Sequence, residues 1–278
     1  MQIHEALAQA QAARVEHLDA QRLLQHVLQQ SRAWLLAHHD EALNGTQAAA
    51  WQALLDRCAT GEPLAYLTGE REFHGLQLHV SPAVLVPRPD TETLVDWALE
   101  LLAGPLASCT SPQLADLGAG SGAIALAVKH ACPRADVRAS DTSSEALAVA
   151  RENGRRLGLH ITWLQGSWWQ AFDLPALNLA LSNPPYIAAG DPHLLALRHE
   201  PLPALVPPDG DGLASLAAII AGAGAHLAAN AWLLLEHGFD QADAVAALLH
   251  AAGFIDVQHR HDLGGHRRCT GGRWPSAT

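Results

Sequence analysis

The fold is decided by the stretch Asp116-Leu117-Gly118-Ala119-Gly120-Ser121-Gly122, which stands between a short apolar strand pattern and a helical one. Glycines at such a junction permit a tight turn and allow a ligand to approach the backbone closely. The following helix would offer free N–H groups at its start. Asp141 lies at the end of the next predicted strand, where a carboxylate can accept both hydroxyls of a ribose. The stretch therefore predicts a nucleoside-binding α/β fold.

The glycine spacing alone leaves the ligand open. Gly118-x-Gly120-x-x-Ala123 satisfies the loose dinucleotide fingerprint, so a nicotinamide-dependent dehydrogenase and an S-adenosylmethionine (AdoMet) methyltransferase are rivals, beside a glycine turn that binds nothing. Asp116 favours AdoMet, because an acid before the glycines suits the cationic amino end of a methionine moiety better than a pyrophosphate.

A second motif, Asn183-Pro184-Pro185-Tyr186, directly follows the fourth predicted strand of this region. Sheets of this type bind ligands at the carboxyl ends of their strands. The Asn183 side-chain oxygen and the Pro184 carbonyl can accept the two N–H groups of a planar amide or aromatic amine, and Tyr186 can lie flat against it. Such a clamp would position a poorly nucleophilic nitrogen for methylation.

Outward from these motifs the pattern alternates between strands and helices, which predicts a doubly wound, mostly parallel sheet with an antiparallel end strand. Residues 1 to about 60 show helical spacing only, and a strand-like pattern from Leu64 to Val86 suggests a hairpin. We expect a helical bundle plus hairpin at residues 1–85 and a catalytic domain at residues 86–278.

Composition excludes several classes of protein. The chain has 278 residues, 49% of them hydrophobic, and a formal net charge of -11, a balance that disfavours a nucleic-acid binder. Four widely spaced cysteines predict reduced thiols, and neither a signal peptide nor a membrane span is visible, so we expect a cytoplasmic location. The polar stretch holding His259, His261 and His266 predicts a solvated loop rather than a metal site, and no metal is expected.

Together the motifs resemble the HemK/PrmC family of peptide chain release factor N5-glutamine methyltransferases, over essentially the whole chain. The resemblance is carried by the glycine stretch, by Asn183 to Tyr186, and by Gly61-Glu-Pro-Leu-Ala-Tyr-Leu-Thr-Gly69, Arg71-Glu-Phe73, Val86-Pro-Arg-Pro-Asp-Thr-Glu92 and Leu235-Glu-His-Gly238. It implies a class I AdoMet-dependent methyltransferase preceded by a small helical bundle that positions the substrate.

The resemblance also implies roles for individual residues. Residues 118 to 122, with Asp116 before them, would bind AdoMet, Asp141 would hold its ribose, and Trp168 would lie beside the adenine. Asn183 would lie beside both substrates, with Pro184 and Tyr186 as catalytic partners and Pro185 completing the substrate site. The substrate would be the glutamine of the Gly-Gly-Gln motif of class-1 release factors, bound by a monomer. The family often has Asp where this chain has Ser167, so a carboxylate contact to the adenine is not expected from that position.

Three other functions remain at this point. Glutamine methylation of a ribosomal protein fits the same motifs. DNA adenine-N6 methylation also uses Asn-Pro-Pro-Tyr, but it needs a basic cleft to flip a base. A non-catalytic nucleotide-binding module would not need the motif at all.

The segment Val86–Glu92, called the linker below, precedes the next predicted helix. Arg88 and Glu92 are expected either to orient this linker or to touch the substrate, and Asp90 or Thr91 is expected to cap the helix. Residues 207–212 are expected to form a mobile loop near the site, and its role is open.

Overall fold

The computed structural model describes residues 1–173, 176–208 and 211–276, and the chain divides into two compact units, Met1–Glu70 and Arg71–Thr278. Asp209 and Gly210 of the predicted loop lie outside the described residues. No helix among the described residues combines the length and the apolar character that crossing a membrane requires.

The first unit contains only helices, as the spacing predicts. Ser31 caps the third of them by accepting the N–H of Trp34, and Asn44 caps the fourth through a reciprocal bond with Gln47. The strand-like pattern from Leu64 is wrong at its start, because a short helix forms there. The five helices are α1 (Ile3–Ala12), α2 (His17–Leu28), α3 (Arg32–Ala37), α4 (Gly45–Ala59) and α5 (Leu64–Thr68).

A two-stranded hairpin, β1 (Glu70–Phe73) and β2 (Leu76–His79), follows. Phe73, Leu76 and Leu78 are buried in one hydrophobic core with residues of the second unit, including Leu94. The predicted boundary near residue 85 groups this hairpin with the helices, whereas its apolar face packs with the sheet-containing unit. The substrate-positioning role assigned to residues 1–85 stays a prediction.

The second unit is built on a seven-stranded sheet of order β5-β4-β3-β6-β7-β9-β8. All neighbours pair in parallel except β9, which is antiparallel to both β7 and β8. The predicted doubly wound sheet with an antiparallel end is therefore confirmed. The strands are β3 (Gln113–Leu117), β4 (Asp136–Asp141), β5 (Thr162–Gln165), β6 (Leu177–Ser182), β7 (Leu227–Glu236), β8 (Ile255–His261) and β9 (Arg267–Arg273).

Helices cover both faces of this sheet, and apolar strand residues pack beneath them in two cores. The helix that begins at Ala214 ends at Gly222, and β7 begins at Leu227. The expected loop around His259 is also wrong, because His259 and His261 belong to strand β8. The helices are α6 (Glu92–Ala103), α7 (Ala123–Ala131), α8 (Ser144–Leu157), α9 (Ala214–Gly222) and α10 (Ala242–Ala251).

Candidate active site

A cavity of about 720 Å³ opens where β3, β4 and β6 end, which is the edge at which parallel sheets bind ligands. Its walls also include the linker before α6 and the proline-rich segment after β6. Of the residues predicted from sequence, the cavity brings together Gly118, Ala119, Gly120, Ser121, Asp141, Trp168, Asn183 and Pro185. The predicted residues absent from its lining are Asp116, Gly122, Pro184 and Tyr186.

The glycine loop is fixed to the end of β4 by backbone hydrogen bonds. The N–H groups of Gly118 and Ala119 both donate to the carbonyl of Ser140, at 2.9 and 2.8 Å. Gly118, Gly120 and Gly122 all have positive φ. At Gly120, a Cβ atom would meet no protein atom within 4 Å, so the backbone there faces open space. A ligand can therefore approach this part of the loop without meeting a side chain.

Asp141 lies beside the loop at the end of β4. Its Oδ2 accepts the N–H of Gly120 and its Oδ1 accepts the N–H of Ser143, both at 2.9 Å. These two bonds hold the carboxylate in one orientation on the cavity wall. Each oxygen keeps a further lone pair, so the group can still accept two hydroxyl donors, as a ribose would supply.

The two adjacent tryptophans have different places. Trp168 is half-buried in the cavity lining, and a Cβ atom on Gly118 would lie 3.1 Å from its ring. Trp169 is buried in the core, where its Nε1–H donates to the carbonyl of Ile219 at 2.7 Å. Of these two tryptophans, Trp168 is therefore the one that offers an aromatic surface to a planar ligand in this cavity. Ser167, which precedes it, also lines the cavity.

Asp116 lies behind the loop rather than on the cavity. It is buried, and its Oδ2 accepts the N–H of Ala125 in the first turn of α7 at 3.1 Å. Its Oδ1 has no hydrogen-bond partner. Burial raises the pKa of this carboxyl to about 7, against the effect of the Ala125 bond. The side chain thus anchors the start of α7 beneath the glycine loop, while its contact with a ligand stays a prediction.

Asn183 faces the cavity with a defined amide orientation. Its Nδ2 donates to the hydroxyl of Thr91 at 3.1 Å, and its Oδ1 has no partner among the described residues. Pro184 is buried and Pro185 lines the cavity. The unpaired Oδ1 of Asn183 is the acceptor that the amide clamp requires.

Tyr186 has a different surrounding from the one expected. Its hydroxyl donates to Oε1 of Glu236 at 3.2 Å, and its ring packs against the hydrophobic core beside α9 and α10. Burial and the nearby Glu236 carboxylate raise the pKa of the phenol above its ordinary value. The tyrosine therefore anchors the turn, and this structure does not show its ring facing the cavity.

Sequence reasoning gave no individual role to Glu236 and only a capping role to Thr91. Thr91 stands at the start of α6, but its side chain makes no capping bond there. Glu236 is buried at the end of β7, where its Oε1 accepts the hydroxyl hydrogen of Tyr186 and its Oε2 has no hydrogen-bond partner. Burial raises its pKa to about 7, opposed by the nearby hydroxyls of Thr91 and Tyr186 and by the charge of Arg268. The motif around Glu236 was visible in the sequence, but its contacts with the linker were not.

The remaining linker side chains have structural partners. Arg88 pairs with the buried carboxylate of Glu200, which also accepts the N–H of Val86 at 3.0 Å. Glu92 accepts the N–H of His74 at 3.0 Å. Of the two roles considered for these residues, orienting the linker is the one that these contacts support.

Two family models match the chain: the PrmC N-terminal domain over residues 2–69 and the Methyltransferase small domain over residues 91–199. A release factor glutamine methyltransferase from Bordetella pertussis is 49% identical over 260 residues, covering 92% of this chain and 94% of that protein. The protein of the same name from Escherichia coli is 42% identical, with 98% of this chain and 97% of that protein covered.

Among solved structures, a Thermus thermophilus 16S rRNA N2 G1207 methyltransferase in complex with AdoMet and guanosine has a TM-score of 0.55 at 18% identity. The match covers 74% of this chain and 49% of that chain. At this identity the likeness concerns the fold alone.

Proposed function

The chain belongs to the family of release factor glutamine methyltransferases, and we propose that it transfers a methyl group from AdoMet to the side-chain nitrogen, N5, of a glutamine. The glutamine is that of the Gly-Gly-Gln motif of class-1 peptide chain release factors. The observation that carries this proposal is the meeting of the glycine loop, Asp141 and Asn183 in one cavity.

The residues present fit AdoMet. The open space at Gly120 admits a ligand against the backbone, and Asp141 has acceptor capacity left for two ribose hydroxyls. Trp168 offers a ring for the adenine, next to Ser167. When bound, AdoMet supplies a methyl group on a positively charged sulfur, which is an electrophile. Asp116 is the acidic group nearest the loop in sequence, and its buried Oδ1 lacks a hydrogen-bond partner. It is therefore the candidate partner for the amino end of AdoMet.

The protein's own task is to hold the amide nitrogen, whose lone pair is delocalised and weakly nucleophilic. Oδ1 of Asn183 accepts one N–H of the glutamine amide, and the carbonyl of Pro184 accepts the other. These acceptors stabilise the positive charge that grows on the nitrogen during transfer. They also fix its position for in-line attack, at about 3–3.5 Å from the methyl carbon. No base is needed beforehand, since the proton leaves after the new N–C bond forms.

The proposed partner is a protein, and the proposed location is the cytoplasm, where release factors act. A net charge of -11 supports a protein substrate over DNA, because phosphate contacts need basic surface. We propose that the enzyme works as a monomer and that residues 1–85 help to position the release factor.

The test is methyl transfer from labelled AdoMet to a class-1 release factor, beside a copy whose Gly-Gly-Gln glutamine is replaced by alanine. We expect label only on the intact factor. Asn183→Ala should slow single-turnover transfer by about 10²–10³, the effect of losing one positioned hydrogen bond. Equal labelling of both factors would contradict the assigned glutamine. A wild-type rate in Asn183→Ala would contradict the amide clamp.

A further inference from the structure

We propose that Asn153 is a positioning residue that joins the glycine loop to the β1–β2 hairpin, so that AdoMet bound against the loop also stabilises the hairpin. The inference rests on the proposed function and deepens it. Among the described residues, those of the hairpin contribute nothing to the cavity lining, which begins along the chain at Ala83. AdoMet in the cavity would therefore act on the hairpin through other residues of the protein.

The side chain of Asn153 bonds to the glycine loop and to the end of β2 at the same time. It projects from α8 and is 0% exposed. Its Nδ2 donates to the carbonyls of Ser121 and His79, both at 2.9 Å, and its Oδ1 accepts the N–H of His79 at 2.7 Å. One carboxamide thus satisfies both backbone groups of His79, as a neighbouring strand would, and holds the loop with its remaining hydrogen.

Ser121 connects Asn153 to the proposed cofactor site. It lines the cavity next to Gly120, where the backbone faces open space. Helix α8 also packs directly against the loop, since a Cβ atom on Gly122 would lie 3.2 Å from Cβ of Ala150. A ligand that orders the loop therefore also restrains the carbonyl to which Asn153 donates.

The same helix is joined to the proposed ribose site at its other end. Asp141 accepts the N–H of Ser143, whose side chain caps the start of α8 by accepting an N–H from its first turn. Bound AdoMet would thus restrain α8 at two places, through Asp141 at the cap and through Asn153 near the end of the helix.

On its other side, Asn153 holds one end of a wall of the cavity. Three residues of the segment 80–85 line the cavity. This segment begins after His79, which Asn153 holds, and it ends before Val86, whose N–H donates to the buried carboxylate of Glu200 at 3.0 Å. Loss of the Asn153 carboxamide would free the hairpin end of this wall while the Glu200 end stays bound.

The first measurement compares Asn153→Leu with the matched control Asn178→Leu in the full chain. Asn178 also bonds to backbone, because its Oδ1 accepts the N–H of Gln113 at 2.8 Å, but Gln113 begins β3, at the end of the strand away from the cavity. Both variants should unfold at a lower denaturant concentration than the wild type, since each leaves backbone groups without partners. AdoMet affinity in calorimetry should fall about two- to tenfold in Asn153→Leu, the effect of one ordinary hydrogen bond, and stay unchanged in Asn178→Leu.

The second measurement follows hydrogen exchange of backbone amides with and without saturating AdoMet, in the absence of a release factor. Any ligand slows exchange that depends on global unfolding, so strand β8, which contributes no described residue to the cavity lining, serves as the reference. In the wild type, AdoMet should slow exchange in β2 at least about fivefold more than in β8. In Asn153→Leu the two strands should be slowed equally, and in Asn178→Leu the wild-type difference should remain.

A second variant, Asn153→Asp, guards against a leucine variant that fails to fold. It keeps the side-chain shape and the acceptor for His79, and it replaces the donor group by an oxygen that faces two carbonyls. It should show the same loss of extra protection in β2. A wild-type β2 protected no more than β8 would overturn the inference, as would undiminished protection in either Asn153 variant or wild-type AdoMet affinity in Asn153→Leu. A protein that shows this coupling but does not methylate a release factor would contradict the proposed function and leave the inference supported.

Discussion

Replacement of Gly120 or Gly122 by alanine should have different main effects: a loss of ligand affinity at Gly120 and a larger loss of stability at Gly122. Both have positive φ, +53° and +82°, so alanine at either position adds about 1–2 kcal/mol of backbone strain. A Cβ on Gly122 would also lie 2.7 Å from the ring of Trp163 and 3.2 Å from both Ala150 and Leu126. Overpacking of this kind adds about 1–3 kcal/mol. We therefore expect Gly122→Ala to lose about 2–5 kcal/mol of unfolding free energy, and Gly120→Ala about 1–2 kcal/mol.

Ligand affinity should fall more in Gly120→Ala than in Gly122→Ala. The new methyl group in Gly120→Ala would project into open space along the cavity, where a ligand would otherwise contact the backbone. We expect AdoMet affinity to fall about tenfold or more, or about 1.4 kcal/mol at least. Denaturant unfolding measures the first effect, and titration calorimetry measures the second. Equal stability of the two variants, or wild-type AdoMet affinity in Gly120→Ala, would refute this account of the loop.

Three further predictions concern the same unit. Asp141→Ala should weaken AdoMet binding by about 1.5–3 kcal/mol in calorimetry, with negligible NAD binding by the wild type; micromolar NAD binding without AdoMet binding would contradict the cofactor. Asp116 and Glu236 have pKa values raised to about 7, so each contributes stability at low pH that is lost as the pH rises from about 4 through 7. In urea unfolding, the stability of Asp116→Asn or Glu236→Gln relative to the wild type should therefore increase from about pH 4 to about pH 8. The same difference in unfolding free energy at the two pH values would refute the raised pKa values. A fragment of residues 71–278 should still bind AdoMet, because every cavity-lining residue lies beyond position 82. The same fragment should methylate a release factor poorly. Full activity of the fragment would show that the helical unit serves another purpose.

The elements that sequence predicted well are those with a strong local signal. The alternation after residue 113 predicted the sheet, because each strand is short, apolar and followed by a turn or a helix. Residues 118 to 121 and Asp141 line the cavity, because their positions at strand ends follow from the chain direction. Their contact with a ligand stays a prediction. The resemblance implied a role for Trp168 alone, and packing shows that its neighbour Trp169 belongs to the core.

The parts that sequence did not predict depend on contacts between distant residues. Thr91 has the residue type and the position of a helix cap. The sequence around it gives no sign that its hydroxyl accepts a hydrogen bond from Asn183, 92 positions away. Tyr186 was expected to face the substrate, whereas its hydroxyl donates a hydrogen bond to Glu236, which belongs to strand β7. The hairpin was assigned to the helical part by sequence proximity, although the apolar face of the hairpin is complementary to the sheet-containing unit.

The two hydrogen bonds that hold the Asn183-to-Tyr186 turn have a consequence for how activity arises during folding. One joins Asn183 to Thr91, 92 positions away in the chain, and the other joins Tyr186 to Glu236, 50 positions away. Contacts of such long sequence separation form late, because loop closure must precede them. Until β7 has joined β6, the Asn183-to-Tyr186 turn lacks its bond to Glu236, whereas the glycine loop and Asp141 need only the pairing of the neighbouring strands β3 and β4. A refolding chain should therefore regain nucleotide binding before it regains methyl transfer, and the interval between the two reports the docking of β7.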